Sequence, residues 1–274
     1  MSYLNAIILG LIQGLAEFLP ISSSGHLAIC QTFFNIEGAD MFFDVLLHFG
    51  TLVAVFVAFW KDIVGIVTDF FSLFKKGQTQ AEIKAARPNR RMILLLIVAT
   101  LPLFLVLPIK DKLESLYSST LFVGFALIVT GLILFFSDRV QKGRKNENTA
   151  TLLDALIVGV GQAIAVVPGL SRSGTTVSAG LVRKYDREFA IRFSFLLSIP
   201  AVLGANLLSL IDAFKAGIDW SLMPKYLVGI LVAMISGYGA IRLLKYITQK
   251  SKFGFFAYYC WGIGLVTLIL SMFS

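Results

Sequence analysis

Six apolar stretches, at residues 42–60, 92–109, 119–137, 189–211, 225–241 and 253–273, each approach or exceed the length of a bilayer-crossing helix. About 20 helical residues suffice to traverse the hydrocarbon core. A chain of 274 residues with six such runs has little left for a soluble core. Composition agrees, since 57% of residues are hydrophobic and 15% charged, against about 25% charged in soluble domains. The expectation is an all-α polytopic membrane protein forming one integral membrane domain over residues 1–274.

The net charge of +8 does not point to nucleic acid. Its basic residues fall in short segments between apolar runs, where positive charge orients a chain in the membrane. Cys30 and Cys260 lie in apolar surroundings and form no metal-spacing motif. The N-terminal segment lacks a basic start and carries Gln13 and Glu17 where a signal peptide is apolar, so it is expected to be retained.

Two more apolar pieces, residues 4–36 and 151–183, are interrupted at their centres by "PISSSGH" and "PGLSRSGTT". Such a break frees backbone groups that lipid cannot satisfy, so it belongs inside protein or against a water-filled cavity. Each piece is read as a re-entrant helical hairpin. At an offset of 149 (162 − 13 = 149), "QGLAEFLPISSSGH" lies without a gap on "QAIAVVPGLSRSGT". Gln13 meets Gln162, and Ser22, Ser24 and Gly25 meet Ser171, Ser173 and Gly174. "FDVLLHFG" also resembles "FSFLLSIP" with a one-residue slip. The chain therefore reads as two repeats, residues 1–140 and 150–274.

Basic segments at 75–91, 139–145, 182–187 and 242–252 are expected in the cytoplasm, and 36–41, 110–118 and 212–224 outside. Three spans per repeat is an odd number, so the halves are inverted relative to each other and bring their broken segments together near the midplane. Trp60 and Trp220 fall near span ends, as interfacial anchors do.

Helices are expected to restart after the breaks, at about 24–36 and 173–182. Free N–H groups and partial positive charge at such termini suit an anion, and Ser and Gly let it approach. Arg172 adds a planar donor fork matched to phosphate oxygens, with a structural ion pair to Glu17 as its alternative role. Gln13 and Glu17 share a helix face, and His26 stands just past the serines. Together they can supply a nucleophile, a proton carrier and a metal ligand. His48 and Asp44, four apart, are secondary candidates for the same cavity.

These stretches, "QGLAEFLPISSSGH" with "FFDVLLHFGTLVAV" and "PGLSRSGTTVSAGL" with "FSFLLSIP", resemble the two signature regions of the bacterial undecaprenyl-diphosphate phosphatases, the bacitracin-resistance family. The resemblance covers essentially the whole chain. It implies removal of the terminal phosphate from undecaprenyl diphosphate, recycling the lipid carrier of cell-wall synthesis. It also implies Ser23 as candidate nucleophile, His26 as its proton partner, Glu17 as an essential carboxylate with Gln13 beside it, and Arg172 as diphosphate clamp. Diphosphate contacts are expected from Ser22, Ser24, Gly25, Ser171, Ser173, Gly174, Thr175 and Thr176. A divalent cation, magnesium or calcium, is implied, with Glu17 and Gln13 as its ligands; the amide of Gln13 binds metal more weakly than a carboxylate and cannot act as a base.

The expected partners are a polyprenyl diphosphate lipid and the bilayer, with no nucleic acid and a homodimer left open. The expected location is the bacterial cytoplasmic (inner) membrane, multi-pass, with the site opening to the periplasmic side. Attack by water rather than serine stays open. A lipid-phosphate transporter or flippase is the rival reading, because inverted repeats with broken helices are also transporter architecture. An intramembrane serine protease fits less well, since Arg172 and paired helix termini suit phosphate.

Overall fold

The computed structural model describes residues 1–33, 41–75, 77, 79–249 and 253–273. Twelve α-helices follow one another among them: α1 (Tyr3–Phe18), α2 (Ser23–Phe33), α3 (Met41–Ala58), α4 (Trp60–Ser72), α5 (Gln80–Thr100), α6 (Lys110–Glu114), α7 (Thr120–Ser137), α8 (Leu152–Ile164), α9 (Arg172–Val182), α10 (Arg187–Ala216), α11 (Met223–Gln249) and α12 (Phe255–Ser271). Among the described residues the one feature resembling a sheet is a bridge between Lys145 and Tyr185.

Four helical runs are long and apolar enough to cross a membrane: Gln80–Ile109, Thr120–Ser137, Arg187–Lys215 and Trp220–Thr248. A fifth arises if α3 and α4, bent 81° at Phe59, count as one span. The expected span at 253–273 is the 17-residue α12, just short of that length. Exposed Leu105, Phe136 and Ile235 leave apolar side chains on the outer face, as a lipid-facing surface requires.

Two boundaries differ from the sequence reading. The basic segment 75–91 is largely helix, because Thr79 and Glu82 form a reciprocal capping box that starts α5 at Gln80. Hydropathy locates where a helix enters lipid, not where it begins. At its other end the run tightens into 3-10 turns over Leu101–Leu105 and Leu107–Ile109, since Pro102 and Pro108 lack the N–H that an α-helix would need. Residues 34–36 of the first hairpin, most of the 36–41 loop, and Lys76, Lys250 and Lys252 of the basic segments lie outside the described residues.

Small residues set the tightest helix contacts. A Cβ added to Gly10 would stand 2.5 Å from Gly229 O, and one on Gly14 would stand 2.0 Å from Ser236 Oγ, so α1 and α11 meet almost backbone to backbone. A Cβ on Gly159 would lie 2.2 Å from Ala99 O, which brings α8 equally close to α5. Elsewhere α7 pairs with α12, and α3 packs on both α10 and α11. Buried Phe18, Phe59 and Phe195 lock the centre, with Phe195 edge-on to both at 5.5 and 5.6 Å between centroids.

Candidate active site

α1 stops at Phe18, where Leu19 N–H closes onto Leu15 O at 3.1 Å, and Pro20 follows. Ser22 then takes φ +70, a left-handed conformation uncommon outside glycine. Its hydroxyl accepts from Gly25 N at 3.2 Å as α2 begins. In the second hairpin Gly169 takes the left-handed position at φ +84, and Ser171 Oγ accepts from Gly174 N at 3.0 Å as α9 begins. Residues 22 and 171 thus cap their helices in the same way. His26 Nδ1 and Thr175 Oγ1, also matched at the offset of 149 (175 − 26 = 149), both bond to the carbonyl four residues earlier, at 2.8 and 2.7 Å.

The two helix starts touch. Gly169 N donates to Ser24 Oγ at 3.4 Å, and Ser173 Oγ donates to Leu19 O at 3.4 Å. A Cβ on Gly174 would stand 3.2 Å from Pro20 Cβ. Neighbouring helices hold both breaks: Thr130 Oγ1 of α7 donates to Gly169 O at 3.3 Å, and Cys260 Sγ of α12 donates to Pro20 O at 3.6 Å. Sequence reasoning passed over Thr130, a lone hydroxyl in an apolar span, although that context was its signal.

Beside this contact lies a cavity of about 660 Å³. At its polar end Ser23 Oγ donates to Glu17 Oε2 at 2.6 Å. Gln13 Nε2 donates to that oxygen at 3.0 Å, while Arg172 pairs with Glu17 Oε1. His48 Nδ1 must carry hydrogen, because its partner at 2.9 Å is the carbonyl of Asp44, which can only accept. Its Nε2 is therefore the basic nitrogen, and it lies 3.9 Å from Glu17 Oε2. Ser22, Ser24, Asp44, Gln162, Ser171 and Asn206 add to the polar lining. Most of the remaining wall is apolar, with Leu103, Phe104, Leu107 and Leu207, and the cavity reaches Lys110, Leu113 and Tyr117.

Other residues expected at the site lie off this lining. His26 Nε2 bonds Tyr259 Oη at 2.9 Å and its ring stacks on the tyrosine at 5.6 Å, so both ring nitrogens are occupied away from Ser23. Thr175 and Thr176 spend their hydroxyls on the carbonyls of Ser171 and Arg172, and Thr176 also bonds Ser194 Oγ at 2.5 Å. Gly25, Ser173 and Gly174 shape the contact between the hairpins. Gln162 and Asn206, both buried, are among the residues that line the cavity, and Gln162 Nε2 and Oε1 and Asn206 Nδ2 have no hydrogen-bond partner.

The donor set suits a cation carried by a substrate better than one caged by protein. Among the described residues no three His, Cys, Asp or Glu side chains converge on a metal position. Gln13 turns its nitrogen to Glu17, which leaves Glu17 and Asp44 as the carboxylates at the cavity. A magnesium ion commonly takes one or two carboxylates and completes its shell with substrate phosphate oxygens and water.

Fold and site define a multi-pass helical membrane protein in which two broken helical hairpins gather a serine, a carboxylate and a guanidinium at one cavity. Residues 6–266 match the family described as "Bacitracin resistance protein BacA", and the chain belongs to that family. It is 43% identical to a protein of Carboxydothermus hydrogenoformans over 98% of both chains, and 41% identical to one of Methanosphaera stadtmanae, again over 98% of both. A protein of Alkaliphilus metalliredigens is 39% identical over 99% of this chain and 100% of its own. All three are named undecaprenyl-diphosphatase.

Proposed function

We propose that this protein hydrolyses undecaprenyl diphosphate to undecaprenyl phosphate and inorganic phosphate. The observation that carries this reading is the meeting of Ser23, Glu17 and Arg172 at the polar end of a cavity whose other walls are mainly apolar. A lipid diphosphate has the same division between charged head and apolar tail.

Arg172 first exchanges Glu17 for a phosphate oxygen, which the planar fork holds as well as it holds a carboxylate. Released from the guanidinium, Glu17 takes the Ser23 proton along the existing 2.6 Å contact. Ser23 Oγ attacks the terminal phosphorus, the bond to the bridging oxygen breaks, and undecaprenyl phosphate leaves. Water then attacks the phosphoserine phosphorus: His48 Nε2, beside Glu17, takes the water's proton, Glu17 returns its own proton to the departing Ser23 Oγ, and inorganic phosphate leaves. The start of α2 and that of α9 face the developing negative charge. Glu17, together with the diphosphate, would hold a divalent cation, which would supply further charge neutralisation.

Purified protein in detergent is expected to release phosphate from undecaprenyl diphosphate. Chelation should lower the rate at least about 10-fold, with recovery on adding magnesium or calcium. Transport alone yields no phosphate, so a folded preparation that releases none under either condition would favour a flippase.

The same reading extends to architecture and location. Six spans and two re-entrant hairpins, related by an inverted repeat, sit in the bacterial inner membrane. Supporting this, Gly10 and Gly159, 149 residues apart (159 − 10 = 149), make the tight contacts of α1 with α11 and of α8 with α5. The cavity reaches Lys110 to Tyr117, in the segment expected outside. Arg183 and Lys145, both in segments expected inside, pair with buried Asp154 at 2.7 Å. In a Cys30→Ser, Cys260→Ser background, Ser221→Cys should react with an impermeant thiol reagent on intact cells, and Asn148→Cys should react only after permeabilisation. The opposite pattern would invert the topology.

A further inference from the structure

The repeat makes one residue conspicuous by what it lacks. Gln13 spends its amide nitrogen on Glu17, four residues on. At the matching place in α8, Gln162 has Val166 four residues on, which offers no polar atom. Gln162 is 1% exposed, and neither Nε2 nor Oε1 has a hydrogen-bond partner. An amide kept dry and unpaired forfeits the hydrogen bonds it makes in water, a loss of stability that a leucine or methionine of similar volume would not carry. Gln162 also lines the cavity that holds Arg172, Ser171 and Ser23.

We propose that Gln162 is a substrate-binding residue whose side-chain amide hydrogen-bonds the diphosphate, Nε2 donating to a phosphate oxygen and Oε1 accepting from its P–OH or from a water that hydrates it. The proposal rests on the phosphatase reading and adds a neutral ligand to it. Duplication made two equivalent glutamines; one now braces the carboxylate that receives the serine proton, and the other is left for the ligand. As a neutral donor, Gln162 can bind the diphosphate without competing with Arg172 for Glu17.

The test compares Gln162→Met and Gln162→Glu with the unaltered protein and with Ser23→Ala, all purified in the same detergent. Phosphate release gives kcat and KM, and thermal unfolding is followed with and without millimolar pyrophosphate. Gln162→Met should unfold at the same or a higher temperature, lose about 10- to 100-fold in kcat/KM, and lose most of the upward shift that pyrophosphate gives the unaltered protein. Gln162→Glu, which replaces the donor with an oxygen that repels phosphate, should lose at least as much. If Gln162→Met keeps kcat/KM and the pyrophosphate shift within about twofold, the amide does not touch the diphosphate. A Gln162→Met protein that unfolds several degrees lower, beside a Gln162→Glu protein of full activity, would also overturn the proposal by making the amide structural. Absence of phosphate release from the unaltered protein would instead defeat the phosphatase reading. Release that Ser23→Ala abolishes and Gln162→Met leaves unchanged would defeat this inference alone.

Discussion

Ser23→Ala is expected to lower phosphate release at least about 10³-fold while unfolding within a few degrees of the unaltered protein. The expectation rests on how the three consecutive serines divide their work. Ser22 caps α2 through Gly25 N, and Ser24 accepts from Gly169 N across the hairpin contact. Both hydroxyls are committed to holding backbone, and they share a mutual contact at 3.3 Å. Ser23 is the serine bonded to a carboxylate, at 2.6 Å, and it faces the cavity. Its loss removes an attacking oxygen without unsettling either helix start. Ser22→Ala should behave in the opposite sense, costing about 1 kcal/mol of stability through the lost cap and much less activity. Mass spectrometry after rapid quenching should find phosphate on Ser23 in the unaltered protein. Near-normal turnover in Ser23→Ala would remove Ser23 as nucleophile; lost turnover with no phosphoserine at any quench time would point to direct attack by water.

The parts of the site that could be read in the sequence are those fixed by local chain geometry. Ser22 and Ser171 announce helix starts through Ser and Gly at capping distance, and Gln13 with Glu17 announces a shared face through i, i+4 spacing. The 149-residue offset placed the two breaks in equivalent positions before their contact could be seen. What escaped depends on residues far apart in the chain. His26 stands three residues from Ser23, yet its ring is drawn off by Tyr259, 233 positions away on α12. The i, i+4 spacing of Asp44 and His48 marks His48 as a cavity-lining candidate, but its usable nitrogen is fixed only by the bond of Nδ1 to the Asp44 carbonyl. The 81° bend between α3 and α4 carries no proline at Phe59 to announce it. Gln162 was visible as a repeat position, but its unpaired state is a property of packing and has no one-dimensional signature.

Arg172→Lys should reduce turnover about 10²-fold or more in a folded protein, because an ammonium keeps the charge and loses the planar fork. The ion pair between Arg172 and Glu17 gives this residue a structural role as well, so activity and stability must be read separately. Arg172→Gln leaves the Glu17 carboxylate, 8% exposed, with Ser23, Gln13 and distant His48 as neighbours. Because the arginine side chain is itself 23% exposed, the expected loss is about 1–3 kcal/mol, below the 3–5 typical of breaking a fully buried pair. Adding Glu17→Gln removes the stranded charge and should restore most of that stability. It should restore no turnover, since the double variant has neither a guanidinium for the diphosphate nor a carboxylate for the serine proton. Thermal unfolding and phosphate release therefore part company in the double variant: one recovers, the other does not. If both recover, the pair exists to hold the two hairpins together, and the start of α9 contributes shape to the site without contributing to the reaction.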